Sequence, residues 1–334
     1  MGNYTDILNR YKKSILKKKN VIGVGFGYKE RKGRTTEEEA LIVLVKKKVP
    51  VSKISKKEII PQRVQEYKTD VIEIGEVVFH QDRTKKLRPA RPGVSIGHYK
   101  VSAGTFGAVV RDKKTGTPLI LSNNHVLANI SNGIDNRARK GDPILQPGTY
   151  DDGRTPGDII GYLERFVPIH SSEGRPDCGV AISIEKAVNF FLHLFRNNYN
   201  FRLFKDGETN LVDCAVAKTA GDGLIASKMI EIGDVLGVTE PEINMEVKKS
   251  GRSSGLTKGR IVAIEATLTV NMNETDTAVF EDQFITTPLS KPGDSGSLIL
   301  DMNNNAVGLL FAGSEKATVC NRISNVLEKL SVKF

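Results

Sequence analysis

Ser290-Lys-Pro-Gly-Asp-Ser-Gly-Ser-Leu-Ile-Leu300 is the stretch on which the reading of this chain turns. It sets Ser295 between Asp294 and Gly296, with Gly293 two residues earlier. A nucleophilic serine needs a tight turn that lifts its hydroxyl clear of the backbone. It also needs bare backbone N–H groups beside it to hold a developing oxyanion. Glycines at 293 and 296 permit both, and Leu298-Ile299-Leu300 reads as a buried strand that fixes the turn. Gly-Asp-Ser-Gly is also an ordinary turn sequence, so its chemistry depends on partners elsewhere.

A triad-type serine hydrolase requires a general base against the serine and a carboxylate that holds the base's tautomer. Histidine is the usual base because it titrates near neutrality. The five histidines, His80, His98, His125, His170 and His193, all precede Ser295. That order excludes the α/β-hydrolase arrangement, in which the histidine comes last, and Ser297 breaks the Gly-x-Ser-x-Gly elbow. His125 follows an apolar run in Leu119-Ile-Leu-Ser-Asn-Asn-His-Val-Leu-Ala128. At the end of a strand and in a polar turn, it is placed to project into a cleft. His80 and His98 lie at or near an expected linker, His170 in a polar loop, and His193 on a predicted helix.

A chain of 334 residues suffices for two domains. Hydrophobic residues make up 39% and charged residues 26%, the balance of a globular protein. No apolar run is long enough to span a bilayer, and the first residues lack the apolar core of a secretory signal. A cytoplasmic location is therefore expected. Cys178, Cys214 and Cys320 have no metal-site or disulfide spacing, and buried free thiols are expected. No cofactor is called for.

The formal charge of +10 is unevenly distributed. Residues 1–89 hold 22 Lys and Arg against 11 Asp and Glu, and the remainder holds 27 against 28. Such asymmetry can mark an anionic partner. Aromatic residues do not interleave the basic ones, however, so a nucleic-acid site is disfavoured. Residues 3–19 have the spacing of an amphipathic helix through Ile7, Leu8, Tyr11, Ile15 and Leu16. Val21-Ile-Gly-Val-Gly-Phe-Gly27 is expected to be a close-packed strand rather than a phosphate loop, since Gly-x-Gly-x-Gly departs from the dinucleotide pattern. Strands are also expected at 40–45 and 70–75. These make a small basic α+β domain over residues 1–89, a prodomain or regulatory module, with residues 83–93 as a Pro-rich linker open to cleavage at Arg88 or Arg91.

From about residue 94, short β-branched runs alternate with Gly, Asn, Asp and Pro turns, the pattern of an all-β barrel or sandwich. Ile184–Phe195 interrupts it with helical spacing through Ala187, Val188, Phe191, Leu192 and Phe195, a helical insertion within about 178–209. A C-terminal helix is expected over 323–330, packing through Val326, Leu327 and Leu330.

Three segments taken in order resemble the trypsin-like, chymotrypsin-fold serine peptidases. Phe106-Gly-Ala-Val-Val110 with the His125 stretch is similar to the family's histidine segment. Leu211-Val-Asp-Cys-Ala-Val-Ala217 is similar to its aspartate segment, and the Ser295 stretch to its serine segment. Gly251-Arg-Ser-Ser-Gly-Leu-Thr257 resembles a hairpin of bacterial members. The resemblance covers about residues 94–330. It implies a mainly β, chymotrypsin-like double β-barrel over residues 90–334, acting as a serine endopeptidase on protein or peptide substrates. It further implies Ser295 as nucleophile, His125 as base, Asp213 as the orienting carboxylate, and the N–H groups of Gly293 and Ser295 as oxyanion hole.

Asp177, in Arg175-Pro-Asp-Cys-Gly-Val-Ala181, has the same local form as Asp213, and spacing does not choose between them once the insertion is discounted. Asn210-Leu-Val-Asp213 reads as a turn entering a strand, which favours Asp213. Asp294 matches an acidic residue that in many relatives pairs with a newly cut N-terminus, yet no Ile-Val-Gly-Gly sequence is present to supply one. Leu289 aligns with the base of the specificity pocket, and Phe311, Ala312 and Gly313 with its wall, implying a small or apolar residue before the cleaved bond. Two other functions fit the same residues: a catalytically silent scaffold of this fold, and a peptidase tethered or regulated through its basic N-terminal module.

Overall fold

The structure is a computed structural model that describes residues 4–31, 34–75, 77, 82–100, 103–174, 178–195, 201, 203, 205–206, 209–273 and 276–334. It divides into two compact units, Met1–Gln81 and Asp82–Phe334. The division lies before the expected boundary at 89/90, because the segment read as a linker is pinned to the second unit. Ala90 is buried, and its N–H donates to Leu224 O (2.7 Å). Arg91 Nε donates to Lys228 O (2.8 Å), Arg88 Nη2 to Gln146 O (3.1 Å), and Arg83 is buried. A charged, Pro-rich composition looks like a linker, but here the arginines find internal carbonyl acceptors.

The first unit comprises α1 (Tyr4–Leu16), β1 (Val21–Arg31), β2 (Arg34–Val45), β3 (Arg63–Val64) and β4 (Tyr67–Glu73). Its sheet runs β1-β2-β4-β3, with β1 antiparallel and β4 parallel to β2. Ile7, Ile15, Leu41, Val43 and Val45 form its core. Ile7 and Ile15 lie eight residues apart, on one helix face, and burying each contributes about 1.5–3 kcal/mol. A tri-lysine run and Asn20, at φ 69, end the helical region. The glycines of β1 serve packing: a Cβ on Gly23 would lie 2.9 Å from Leu44 Cδ1.

The second unit begins with β5 (Ser95–His98), β6 (Gly104–Thr105), β7 (Ala108–Asp112), β8 (Pro118–Ser122), α2 (Asn124–Leu127), β9 (Pro143–Leu145) and β10 (Ile159–Phe166). The short pair β11 (Glu173–Gly174) and β12 (Lys205–Asp206) flanks α3 (Gly179–Phe195), and β13 (Ala215–Thr219) follows. Then come β14 (Gly237–Val238), β15 (Glu246–Gly251), β16 (Gly255–Asn271), β17 (Thr277–Thr286), β18 (Leu298–Asp301), β19 (Asn305–Gly313), β20 (Thr318–Arg322), α4 (Ile323–Lys329) and β21 (Val332–Lys333).

These strands form two barrels, the chymotrypsin-like arrangement. In the first, order β7-β8-β13-β10-β9-β5-β6 returns on itself. β6 and β7 are one run broken at Phe106 and Gly107; β6 pairs with β5 and β7 with β8. In the second, order β19-β18-β15-β16-β17-β20 closes through a β19–β20 pairing. Closure removes the sheet edges.

Strand alternation builds the unit from the inside. Ile120, Ala215 and Ala217 point into the first barrel, and Ile299 into the second. Their neighbours Leu119, Leu121, Val216, Leu298 and Leu300 join a third cluster with Leu309, Val326 and Leu330. Residues of period two therefore bury both faces of these strands, which is why they read as continuous apolar runs. The shared cluster welds the strand leading to His125 to the strand following Ser295. On α3 none of the described side chains is buried, so the apolar face expected there has no core of its own. Among the described residues no helix is long and apolar enough to cross a membrane.

Candidate active site

His125 lies on α2, the single turn that follows β8. Both asparagines before it are buried and used. Asn124 Nδ2 donates to Ser131 O (2.9 Å) and Val167 O (2.6 Å), while Asn123 Nδ2 donates to Asp213 O (2.7 Å). Asp213 precedes β13. Its N–H donates to Asn321 Oδ1 (3.0 Å) and its O accepts from Asn321 Nδ2 (3.2 Å). These bonds aim the carboxylate at His125: Oδ2 is hydrogen-bonded to Nδ1 of the ring, and Oδ1 accepts the His125 backbone N–H (3.2 Å). The carboxylate is 4% exposed and the imidazole 27%. A buried carboxylate on Nδ1 makes Nδ1–H the donor and leaves Nε2 as the free base.

Ser295 lies in the turn between β17 and β18, on the second barrel. Ser253 Oγ donates to Pro292 O (2.7 Å) and Thr105 Oγ1 to Gly293 O (3.0 Å). A planar peptide sets its N–H opposite its C=O, so the first bond also fixes the direction of the Gly293 N–H. Among the described residues the Gly293 and Ser295 amides have no acceptor, whereas the Asp294 N–H between them donates to Lys291 O (3.0 Å). Gly293 and Gly296 adopt φ 96 and 90, a region that costs other residues strain. Gly296 has no room for a side chain either: a Cβ would lie 2.1 Å from Ser122 Oγ and 2.5 Å from Thr105 O.

The two turns meet at Gly104. Its missing Cβ would lie 2.4 Å from Val126 Cγ2 and 2.9 Å from Ser295 O. The Ser295 hydroxyl donates to Phe311 O (3.5 Å); it and His125 are not hydrogen-bonded to each other in this structure.

A cavity of about 680 Å³ adjoins His125 and Asp213, lined by Ile130, Ile169, Leu268, Val270, Phe280 and Phe311. A second, of about 670 Å³, is lined by Ser290, Pro292, Ser295 and Leu310. Ala312, Gly313 and Ser314 border both. Leu289, expected at the pocket base, instead packs with Val247 and Ile261 inside the second barrel; Ser290 faces the cavity, its hydroxyl on Thr318 Oγ1 (2.8 Å).

His98 is buried with Nε2 on Asp142 Oδ2 (3.0 Å); burial pushes its pKa down, against the pull of Asp142. The His170 backbone is bonded to Asn210, and His193 lies on α3. His80 and Asp177 lie outside the described residues. Cys214 and Cys320 are buried and Cys178 is exposed. Asn123, Asn321 and Thr105, which position the site, carry no motif. Their shared signal is polarity at positions flanking apolar strand residues.

No protein-family model matches the chain, and no curated protein matches it. Among solved structures it is similar to Nocardiopsis protease NAPase, at 15% identity over 73% of this chain and 98% of that one, TM-score 0.46. It is similar to Cellulomonas bogoriensis chymotrypsin, at 15% identity over 73% and 96%, TM-score 0.45. It is likewise similar to Thermobifida fusca protease A, at 14% identity over 73% and 98%, TM-score 0.45. At these identities and TM-scores the chemistry has to be read from the chain's own side chains.

Proposed function

We propose that the second unit is a serine endopeptidase. The observation that carries this is the buried Asp213 carboxylate bonded to His125 Nδ1, next to a serine turn whose Gly293 and Ser295 amides are unpaired. Ser295 Oγ attacks the scissile carbonyl carbon as His125 Nε2 takes its proton. The carbonyl electrons move onto oxygen, where the two amides receive them. Collapse returns the electrons, breaks the C–N bond, and His125 protonates the leaving amine. Water then repeats the sequence on the acyl-enzyme, releasing the acid and restoring Ser295. Rotation of the Ser295 hydroxyl from Phe311 O toward His125 precedes the first step; such bonds often form only with substrate present.

The apolar cavity beside His125 favours substrates with apolar side chains near the cleaved bond. The first unit, with its own core and most of the chain's basic excess, acts as a regulatory module. The test is hydrolysis of an unfolded protein such as casein by the full chain. Cleavage should be lost in Ser295→Ala and His125→Ala. Cleavage that survives Ser295→Ala sinks the proposal. The bond from Ser295 to Phe311 O favours a second function, a silent scaffold, which predicts no cleavage even by the wild type.

A further inference from the structure

Asp294 stands between the two amides assigned to the oxyanion, and its side chain faces inward. It is 0% exposed, as is Lys249 on β15. Lys249 Nζ donates to Asp294 Oδ2 (3.1 Å), to Gly255 O (3.0 Å) and to Ser254 Oγ, which uses all three of its protons. Asp294 Oδ2 also accepts the Lys291 N–H (2.9 Å), and Oδ1 accepts those of Ser253 (2.8 Å) and Ser254 (3.1 Å). The carboxylate is saturated, and the 251–255 hairpin is tied to the serine turn through it. Burial pushes the Asp294 pKa up, but Lys249, Ser254 and the amides outweigh it and hold it below the usual range.

A second cation reinforces this cluster. Arg83, at the start of the second unit, is buried. Its Nη1 donates to Ser250 Oγ (2.7 Å), Gly251 O (3.0 Å) and Gly93 O (3.2 Å), and its Nη2 pairs with Glu231. The clasped Gly251 touches Asp294 directly, since a Cβ there would lie 2.4 Å from Asp294 Oδ1. Arg83 and Lys249 balance Asp294 and Glu231. A buried carboxylate stays charged only where such pairing and hydrogen bonding exist. Nothing in the cluster leaves an acceptor site for a newly made chain terminus.

We propose that Lys249 and Arg83 are positioning residues that hold the serine turn in its oxyanion-receiving form from inside the barrel, so that the uncut chain is already competent. On this account the 83–93 segment is a clamp. Cutting it would lower activity rather than release it. The proposal rests on the hydrolase function above.

The experiment is saturable labelling of the full chain by a fluorophosphonate, giving a maximal rate constant and a half-saturating concentration, with intact mass to show the chain uncut. Uncut wild type should label. Lys249→Met should lower the maximal rate about 100-fold or more, the loss typical of an oxyanion donor, with half-saturation within about threefold. Arg83→Met should lower the same constant by about tenfold or more. A role in folding alone would reduce the amount of labelled protein and leave the rate constant of the folded fraction unchanged. If Lys249→Met does not fold, Lys249→Met/Asp294→Asn removes both charges and should fold yet label slowly. Wild type that labels only after cleavage overturns the proposal, as does wild-type-like labelling by the folded charge variants. A wild type that never labels overturns the hydrolase function itself, and this proposal with it.

Discussion

Replacing Asp213 by Asn should abolish most activity while leaving the fold intact, and the structure says why. The Asp213 backbone is held by Asn123 and Asn321 through bonds that do not involve its carboxylate, so an asparagine stays in place. The His125 backbone N–H donates to Oδ1, and a backbone donor keeps its acceptor. In the Asp213→Asn variant the amide oxygen therefore takes the Oδ1 side, and the NH2 faces the imidazole. Nδ1 becomes an acceptor, the ring proton moves to Nε2, and Nε2 can no longer take the Ser295 proton. The expected loss in kcat is about 10³–10⁴-fold, or about 4–5.5 kcal/mol at 1.36 kcal/mol per decade. KM should stay within about threefold, since no contact with the substrate is removed. The assay is the acylation rate on a chromogenic ester alongside a thermal melt. A loss below about tenfold, or one carried by KM alone, would refute the tautomer argument.

Three further outcomes follow from the same geometry. Gly296→Ala must place a methyl at φ 90 against Ser122 and Thr105. Left-handed strain of about 1–2 kcal/mol and overpacking of about 1–3 kcal/mol should lower the melting midpoint by at least about 5 °C, read by near-UV circular dichroism. His98 is pushed below its ordinary value of 6.5 by burial and by Lys100, against Asp142. The unfolded chain then binds the extra proton, so this stability is complete above the unfolded pKa and is lost as pH falls through 6.5 toward the folded one. Melting between about pH 7.5 and about pH 5.5 should therefore drop more for wild type than for His98→Gln. Leu268→Ser in the apolar cavity should raise KM for peptides with apolar residues beside the cleaved bond by about tenfold, and leave labelling by a small fluorophosphonate unchanged.

Parts of this arrangement are visible in the sequence because they are local. Gly293 and Gly296 announce a turn that only glycine tolerates, and Leu119-Ile120-Leu121 announces a strand buried on both faces that delivers His125. Barrel closure is not local. The β8–β13, β5–β9 and β17–β20 pairings that complete the barrels join strands far apart in the chain, such as Ser122 with Ala215 and Gly97 with Leu145. Lys249 and Arg83 were hidden for a different reason. Lysine and arginine are almost never fully buried, so a strand lysine and an arginine in a Pro-rich stretch read as solvated. Their partners, Asp294 and Ser250, lie 45 and 167 residues away. Leu289 failed for a related reason. An alignment position gives no side-chain direction, and the loop after β17 sends Leu289 into the barrel and Ser290 to the cavity.

The proposed mechanism makes one serine nucleophilic through His125 and Asp213, and peptide mapping of the fluorophosphonate adduct on the full chain tests that assignment. A single adduct on Ser295 that disappears in His125→Ala is expected. An adduct on another residue, or one on Ser295 that forms equally fast without His125, would contradict it.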